Sequence, residues 1–429
     1  MEENFLHFIW KFQYFNSFEL KTTQGEAVTI INKGNHNLDA GPDFSTSRIK
    51  IGNTEWAGNV EIHIKSSDWY QHNHQHDKAY SNVILHVVFN DNKPAKYPGT
   101  ENIIPTIELQ NRINEWQWTA YQKMLSSALW VPCANQIKTV PSIFISKWKE
   151  RLMVERLVEK SKIVETMLQQ NNSDWRQVFY RFLAKSFGFK VNADPFEALA
   201  NSVDQKILWK YKNNLHLIEA LLFGQAGFLN ASFKEEYPKM LQKDYLFLAS
   251  KHGLTPIKTE NWKFSKIRPS NFPTIRIAQF AILIFKSENL FSHILEEENV
   301  AKLKTFFEVE INNGYWLNHY QFGKESKQKI KSLGKDAVNN IMINTISVFL
   351  FFYGTYKKEQ KYIDKAVQWL EEIEPETNTI TTNWKNLGLL SKNAFDSQSL
   401  IELKNSYCSK KKCLLCNIGN YILKPLEHA

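Results

Sequence analysis

Residues 58–65 read Gly58-Asn59-Val60-Glu61-Ile62-His63-Ile64-Lys65. Apolar and polar side chains alternate from 60 to 65, the two-residue period of a strand with one face on a core. Val60, Ile62 and Ile64 are assigned to that core, and Glu61, His63 and Lys65 to the opposite face. Three ionisable groups in a row on one face are costly to desolvate unless they pair or bind a cation. Upstream, Gly41-Pro42-Asp43-Phe44 marks a turn into another strand. Asp43 and Glu61 on neighbouring strands can share a divalent ion through carboxylate oxygens, with waters completing its shell. The plainer alternative makes Asp43 a turn cap and 61–65 a solvated strand face.

Working outward, residues 3–15 have helical apolar spacing, and 27–32, 47–51 and 83–89 have strand chemistry punctuated by glycines. A short helix is expected over His72–Tyr80 and a further strand near 103–109. The order is helix, three strands, short helix, strand. From 111 onward the apolar spacing becomes helical, with candidates at 116–130, 142–169, 173–187, 195–223 and beyond. The expected fold class is therefore α+β: a mixed β-sheet domain over 1–110, followed by a mainly helical domain over 111–429.

Pro42-Asp43 followed on the next strand by Glu61-x-His63 resembles the Pro-Asp…(Asp/Glu)-x-Lys motif of the PD-(D/E)XK nuclease superfamily. That resemblance implies a core in the same strand order and metal-dependent phosphodiester hydrolysis. Asp43, Glu61 and the carbonyl of Ile62 would hold Mg²⁺ or Mn²⁺, and Glu2 or Glu3 on the first helix would assist. The family's lysine position is occupied by His63, so either His63 acts as base or ligand, or Lys65 replaces the lysine. Gly41 to Phe44, Gly58 to His63, Asp68-Trp69, 83–88, 268–273 and Tyr407-Cys408 also resemble an uncharacterised bacterial family of about this length.

The run Asp68-Trp69-Tyr70-Gln71-His72-Asn73-His74-Gln75-His76-Asp77 adds donors. In extended form His72, His74 and His76 project to one side. His72 and Asp77 are assigned to the metal centre, and His74 and His76 to a polar surface loop.

All four cysteines can meet at one centre. Cys408, Cys413 and Cys416 have the spacing Cys-x4-Cys-x2-Cys, and Cys133 lies far upstream. Four thiolates suit a structural Zn²⁺ or a 4Fe-4S iron–sulfur cluster. The plan resembles exonucleases of the CRISPR-associated and double-strand-break-repair kind, which join a nuclease domain to a cluster held by one early and three late cysteines. Cys133, unlike their first cysteine, follows the nuclease motif.

Net charge is −4 over residues 1–110 and +13 over the remainder. A basic excess attracts polyanions through counterion release. Arg268, Phe272 and Arg276 form a loop suited either to phosphate contact and base stacking or to seating on the helical core. The expected partner is nucleic acid, DNA ahead of RNA, with a non-catalytic nucleic-acid-binding protein or a hydrolase of another substrate as alternatives. No Gly-rich phosphate loop or Gly-x-Ser-x-Gly is present, which disfavours a nucleotide-driven motor or serine hydrolase. The N-terminus carries acids and no long apolar run, and 341–353 reads as a buried helix, so a cytoplasmic protein without membrane contact is expected.

Overall fold

The computed structural model describes residues 1–171, 173–287 and 289–425. The chain forms two compact units, Met1–Trp148 with Leu403–Ala429, and Lys149–Glu402.

The first unit begins with helix α1, Glu3–Phe12, which buries Phe5, Leu6, Phe8, Ile9 and Trp10. It stops three residues short of the expected end, at Gln13 in left-handed conformation. Strand β1 spans Val28–Asn32, β2 Asn35–His36, β3 Phe44–Ile51 and β4 Thr54–Lys65. A four-residue helix α2, Asp68–Gln71, and two 3-10 turns lead to β5, Val83–Asn90, and β6, Thr106–Glu108. The sheet order is β1-β3-β4-β5-β6, with β2 pairing β3. β1, β3 and β4 form an antiparallel meander, whereas β5 runs parallel to β4 and β6 parallel to β5. This is the mixed sheet expected from the sequence.

β5 explains the change of direction. Its first six residues, Val83 to Val88, are all buried, the near-continuous apolar reading of a strand covered on both faces. Parallel pairing needs a crossover, and 66–82 supplies one. β4 and β5 approach closely at Gly58. A Cβ there would lie 2.4 Å from Ile84 Cγ2 and 2.6 Å from the Asn82 carbonyl oxygen.

The unit boundary differs from the expected 110/111 division. Helix α3, Glu115–Ser126, and the segment bearing Cys133 belong with the sheet, as do residues 403 onward. Long-range bonds account for this: Gln117 Nε2 donates to the Leu423 carbonyl at 2.9 Å, and Tyr14 Oη to Asn420 Oδ1 at 2.8 Å.

The second unit is mainly helical around one large core. Leu215–Gln225 and Pro273–Lys286 are buried almost all round. Lys335–Lys357 is long and apolar enough to cross a membrane by composition, and 78% of its most apolar stretch is buried inside the protein. A π-helical turn at Met342–Ile346 interrupts it.

Candidate metal centre

Asp43 enters β3 beside β4, since Phe44 pairs with Val60. The Asp43 backbone N–H donates to Glu61 Oε2 at 3.1 Å, and the Ile62 N–H donates to Asp43 Oδ2 at 2.9 Å. The two acids therefore share one end of neighbouring strands. The alternation in β4 holds for its apolar residues, but Glu61 and His63 are also buried, at 4% and 1% exposure. A solvated strand face is excluded for them; Lys65 alone of the three polar residues is exposed.

His63, His72 and His74 bring ligand nitrogens within 4.8 Å of one another. His63 Nε2 lies 3.1 Å from His72 Nδ1 and 3.6 Å from Glu61 Oε1, and His74 Nε2 lies 3.2 Å from the same oxygen. His74 Nε2 is buried and makes no hydrogen bond. A buried polar atom without a partner is costly, and this one points into a ring of donors. Behind His63, its Nδ1 is 2.8 Å from His86 Nε2. With His63 Nε2 as a ligand atom, Nδ1 carries the proton and donates to His86, the outer bond that orients metal-binding imidazoles.

Local backbone, not strand alternation, creates this convergence. Residues 72–77 are not extended; Asn73 adopts a left-handed turn at φ 60°, which folds His74 back under His72. His74 stacks on Tyr80 with ring centroids 3.8 Å apart, and Trp69 packs edge-on at 5.3 Å. His74 is thus a centre residue, not part of a surface loop. His76 and Asp77 are exposed. The Asp77 carboxylate caps the following 3-10 turn, accepting from Ala79 N at 2.9 Å, and so is not brought into the centre.

Helix α1 contributes His7, which the sequence reading passed over. Its Nε2 is 3.2 Å from Asp43 Oδ2 and 3.9 Å from Glu3 Oε1. The Glu3/His7 spacing of four residues, one helical face, was the available signal. Burial opposes a charge on His7, but the Asp43 carboxylate overrides it and the net shift is upward. Burial, then Asp43, pushes the Glu61 carboxyl up to about 9. Burial and the surrounding imidazoles push His63 down to about 2, and burial pushes His86 down to about 3. Neutral imidazoles are the form that binds metal.

A family model described as protein of unknown function (DUF2851) matches residues 3–379. The chain belongs to this family. The family match takes in the whole histidine centre and Cys133, and ends before Cys408, Cys413 and Cys416. No curated protein matches the chain, and no solved structure does.

The four cysteines of this family member line one small cavity of the first unit, with Tyr407 and Gly419 beside them. The proposed nucleic-acid loop has a different fate. Arg276 is only 5% exposed, donates to Gln279 Oε1 at 2.9 Å and Asn271 Oδ1 at 2.6 Å, and stacks over Phe189 at 4.6 Å. Phe272 packs against Phe264 and Tyr320 at 5.2 and 6.5 Å. Both residues seat the loop on the helical core, the second of the two roles that the sequence left open for them, in place of nucleic-acid contact. Arg268 remains exposed.

Proposed function

We propose that the chain is a metal-dependent hydrolase of phosphodiester bonds in nucleic acid, DNA ahead of RNA, built on a PD-(D/E)XK-like core. The supporting observation is the meeting of Asp43 and Glu61 at one end of β3 and β4, beside the clustered imidazoles of His63, His72 and His74. A helix, an antiparallel β1-β3-β4 group flanked by β2, and β5 running parallel to β4 after a crossover support that reading.

The donor set favours Mn²⁺ or Zn²⁺ over Mg²⁺. Mg²⁺ takes oxygen ligands, whereas imidazole suits the transition metals and zinc. Glu61, His63, His72 and His74 would hold the ion. A cation bound there supplies an activated water and screens charge on the scissile phosphate. Asp43 is held toward Glu61 by His7 and the Ile62 N–H, so it fixes the carboxylate geometry from behind. His63 Nδ1 is engaged with His86, which leaves Nε2 as the ligand atom and makes His63 a ligand, not a proton carrier. Lys65, exposed at the end of β4, would supply a cation to meet the phosphate.

The full chain incubated with Mn²⁺, Zn²⁺ or Mg²⁺ tests this on linear, circular and single-stranded DNA and on RNA. Cleavage with Mn²⁺ or Zn²⁺ that disappears in an Asp43→Ala, Glu61→Ala double variant is expected. Tight binding without cleavage would favour the non-catalytic alternative, and neither binding nor cleavage would remove nucleic acid as the substrate.

A further inference from the structure

We propose that Cys133, Cys408, Cys413 and Cys416 hold a 4Fe-4S iron–sulfur cluster, not a zinc ion, and that the cluster fastens the C-terminal segment within the N-terminal unit. This inference stands whether or not the chain cleaves nucleic acid.

Cys133 and the three thiols of residues 408–416 come from two distant stretches of chain and line a common cavity. Cys133, Cys413 and Cys416 are 7–8% exposed, so the cavity is screened from water. The spacing of the sulfurs decides between the two occupants. Zinc binds thiolate at about 2.3 Å, which places tetrahedral sulfurs only about 3.8 Å apart. Among the described residues, three ligand atoms mutually within 4.8 Å occur at His63, His72 and His74, and the cysteines form no such set. Their sulfurs are therefore spread wider than the shell of one ion. A cubane gives each thiolate its own iron on a separate corner, so it needs that wider spread. The cavity of about 20 Å³ also holds a water-sized body, room that thiolates closed on one zinc would not leave.

The backbone is arranged to serve a sulfur. Cys413-Leu-Leu-Cys416 forms a 3-10 turn in which the Cys416 N–H donates to the Cys413 carbonyl at 3.2 Å. The backbone N–H groups of Gly419 and Ile418 and the Trp148 indole hydrogen-bond to the Cys416 sulfur. Such N–H contacts to ligand sulfur tune iron–sulfur centres. Gly419 is required for this approach, because a Cβ there would lie 2.1 Å from the Cys413 carbonyl oxygen. Lys404 and Lys411 supply positive charge near Cys408 and Cys413, which offsets the anionic liganded cluster. Uptake of a preassembled cluster from a carrier is ligand exchange without electron transfer. Four iron–thiolate bonds form, four thiol protons leave to solvent, and the carrier's ligands are released.

The full chain purified without oxygen, then incubated with ferric iron, sulfide and a thiol that reduces half of that iron, provides the test. About four irons and four acid-labile sulfides per chain are expected, with brown colour that bleaches on reduction. Sulfide separates this site from iron bound at the histidines. A Cys413→Ala variant should lose the sulfide while circular dichroism still shows the folded chain, and a Glu61→Ala variant should keep it. Stoichiometric zinc without sulfide, iron without sulfide, or no metal at all would overturn the proposal. The wild-type metal and sulfide analysis decides even if Cys413→Ala fails to fold.

Discussion

His74 Nε2 stands 3.2 Å from Glu61 Oε1, buried and without a hydrogen bond. Buried polar atoms are normally paired, and the metal ion proposed above would give this one a partner. Added Zn²⁺ or Mn²⁺ should therefore raise the thermal midpoint of the full chain. At a hundred-fold excess over its dissociation constant, a ligand that binds only the folded state adds about 2.7 kcal/mol. His74→Ala and Glu61→Ala should each abolish most of that rise at the same metal concentration. An undiminished rise in both variants would place the bound ion elsewhere.

The Gly58 contact gives a packing prediction for the sheet. A methyl group there would meet both Ile84 and the Asn82 carbonyl, forcing β4 away from β5 next to Glu61. Gly58→Ala should cost about 1–3 kcal/mol, as overpacking does, and should weaken metal binding. Urea unfolding followed through the N-terminal unit measures the first effect and calorimetric titration with Zn²⁺ the second. Wild-type values for both would show that the strands can part without consequence.

Asp43 and Glu61 were legible because their signals are local. A Gly-Pro turn starts one strand and a two-residue period runs along the next. The same period misled at 72–77, where alternating histidines suggested an extended face. Asn73 in a left-handed turn gathers His72 and His74 instead, and one φ value is not encoded in a polar pattern. His7 needed the packing of α1 over the strand ends before its helix position had meaning. The unit boundary was hidden for a related reason: the last residues return to α1 and α3 through Tyr14 and Gln117, contacts of very long sequence separation. Phe272 and Arg276 show the limit of composition. A cation beside an aromatic reads alike on a nucleic-acid surface and in a core.

The packing of partly buried Phe272 and buried Arg276 against the helical core makes a separable prediction. Phe272→Ala should destabilise the helical unit by about 1–2 kcal/mol, less than the loss of a fully buried phenylalanine. Arg276→Ala should also destabilise, because Gln279 and Asn271 lose their buried partner. Exposed Arg268→Ala should change stability by less than about 0.5 kcal/mol. Unfolding by guanidinium distinguishes these cases. If Phe272→Ala left stability intact and removed affinity for DNA, the loop would return to being a nucleic-acid contact.

Glu219 offers a pH test inside the helical unit. Burial pushes its carboxyl up to about 7, against the opposing hydrogen bond from Tyr237 Oη at 3.0 Å. An acid raised in the folded state binds more protons there than when unfolded. Its contribution is thus fully present below its unfolded value of 4.5 and is lost as pH rises through about 7. The shift corresponds to about 3 kcal/mol of stability. Glu219→Gln keeps an acceptor for Tyr237 and removes the titration. Wild-type stability should therefore fall more steeply than the variant's between the two pH values, and the two curves should run parallel above them. Parallel curves across the whole window would mean that Glu219 ionises freely and is not held neutral by its surroundings.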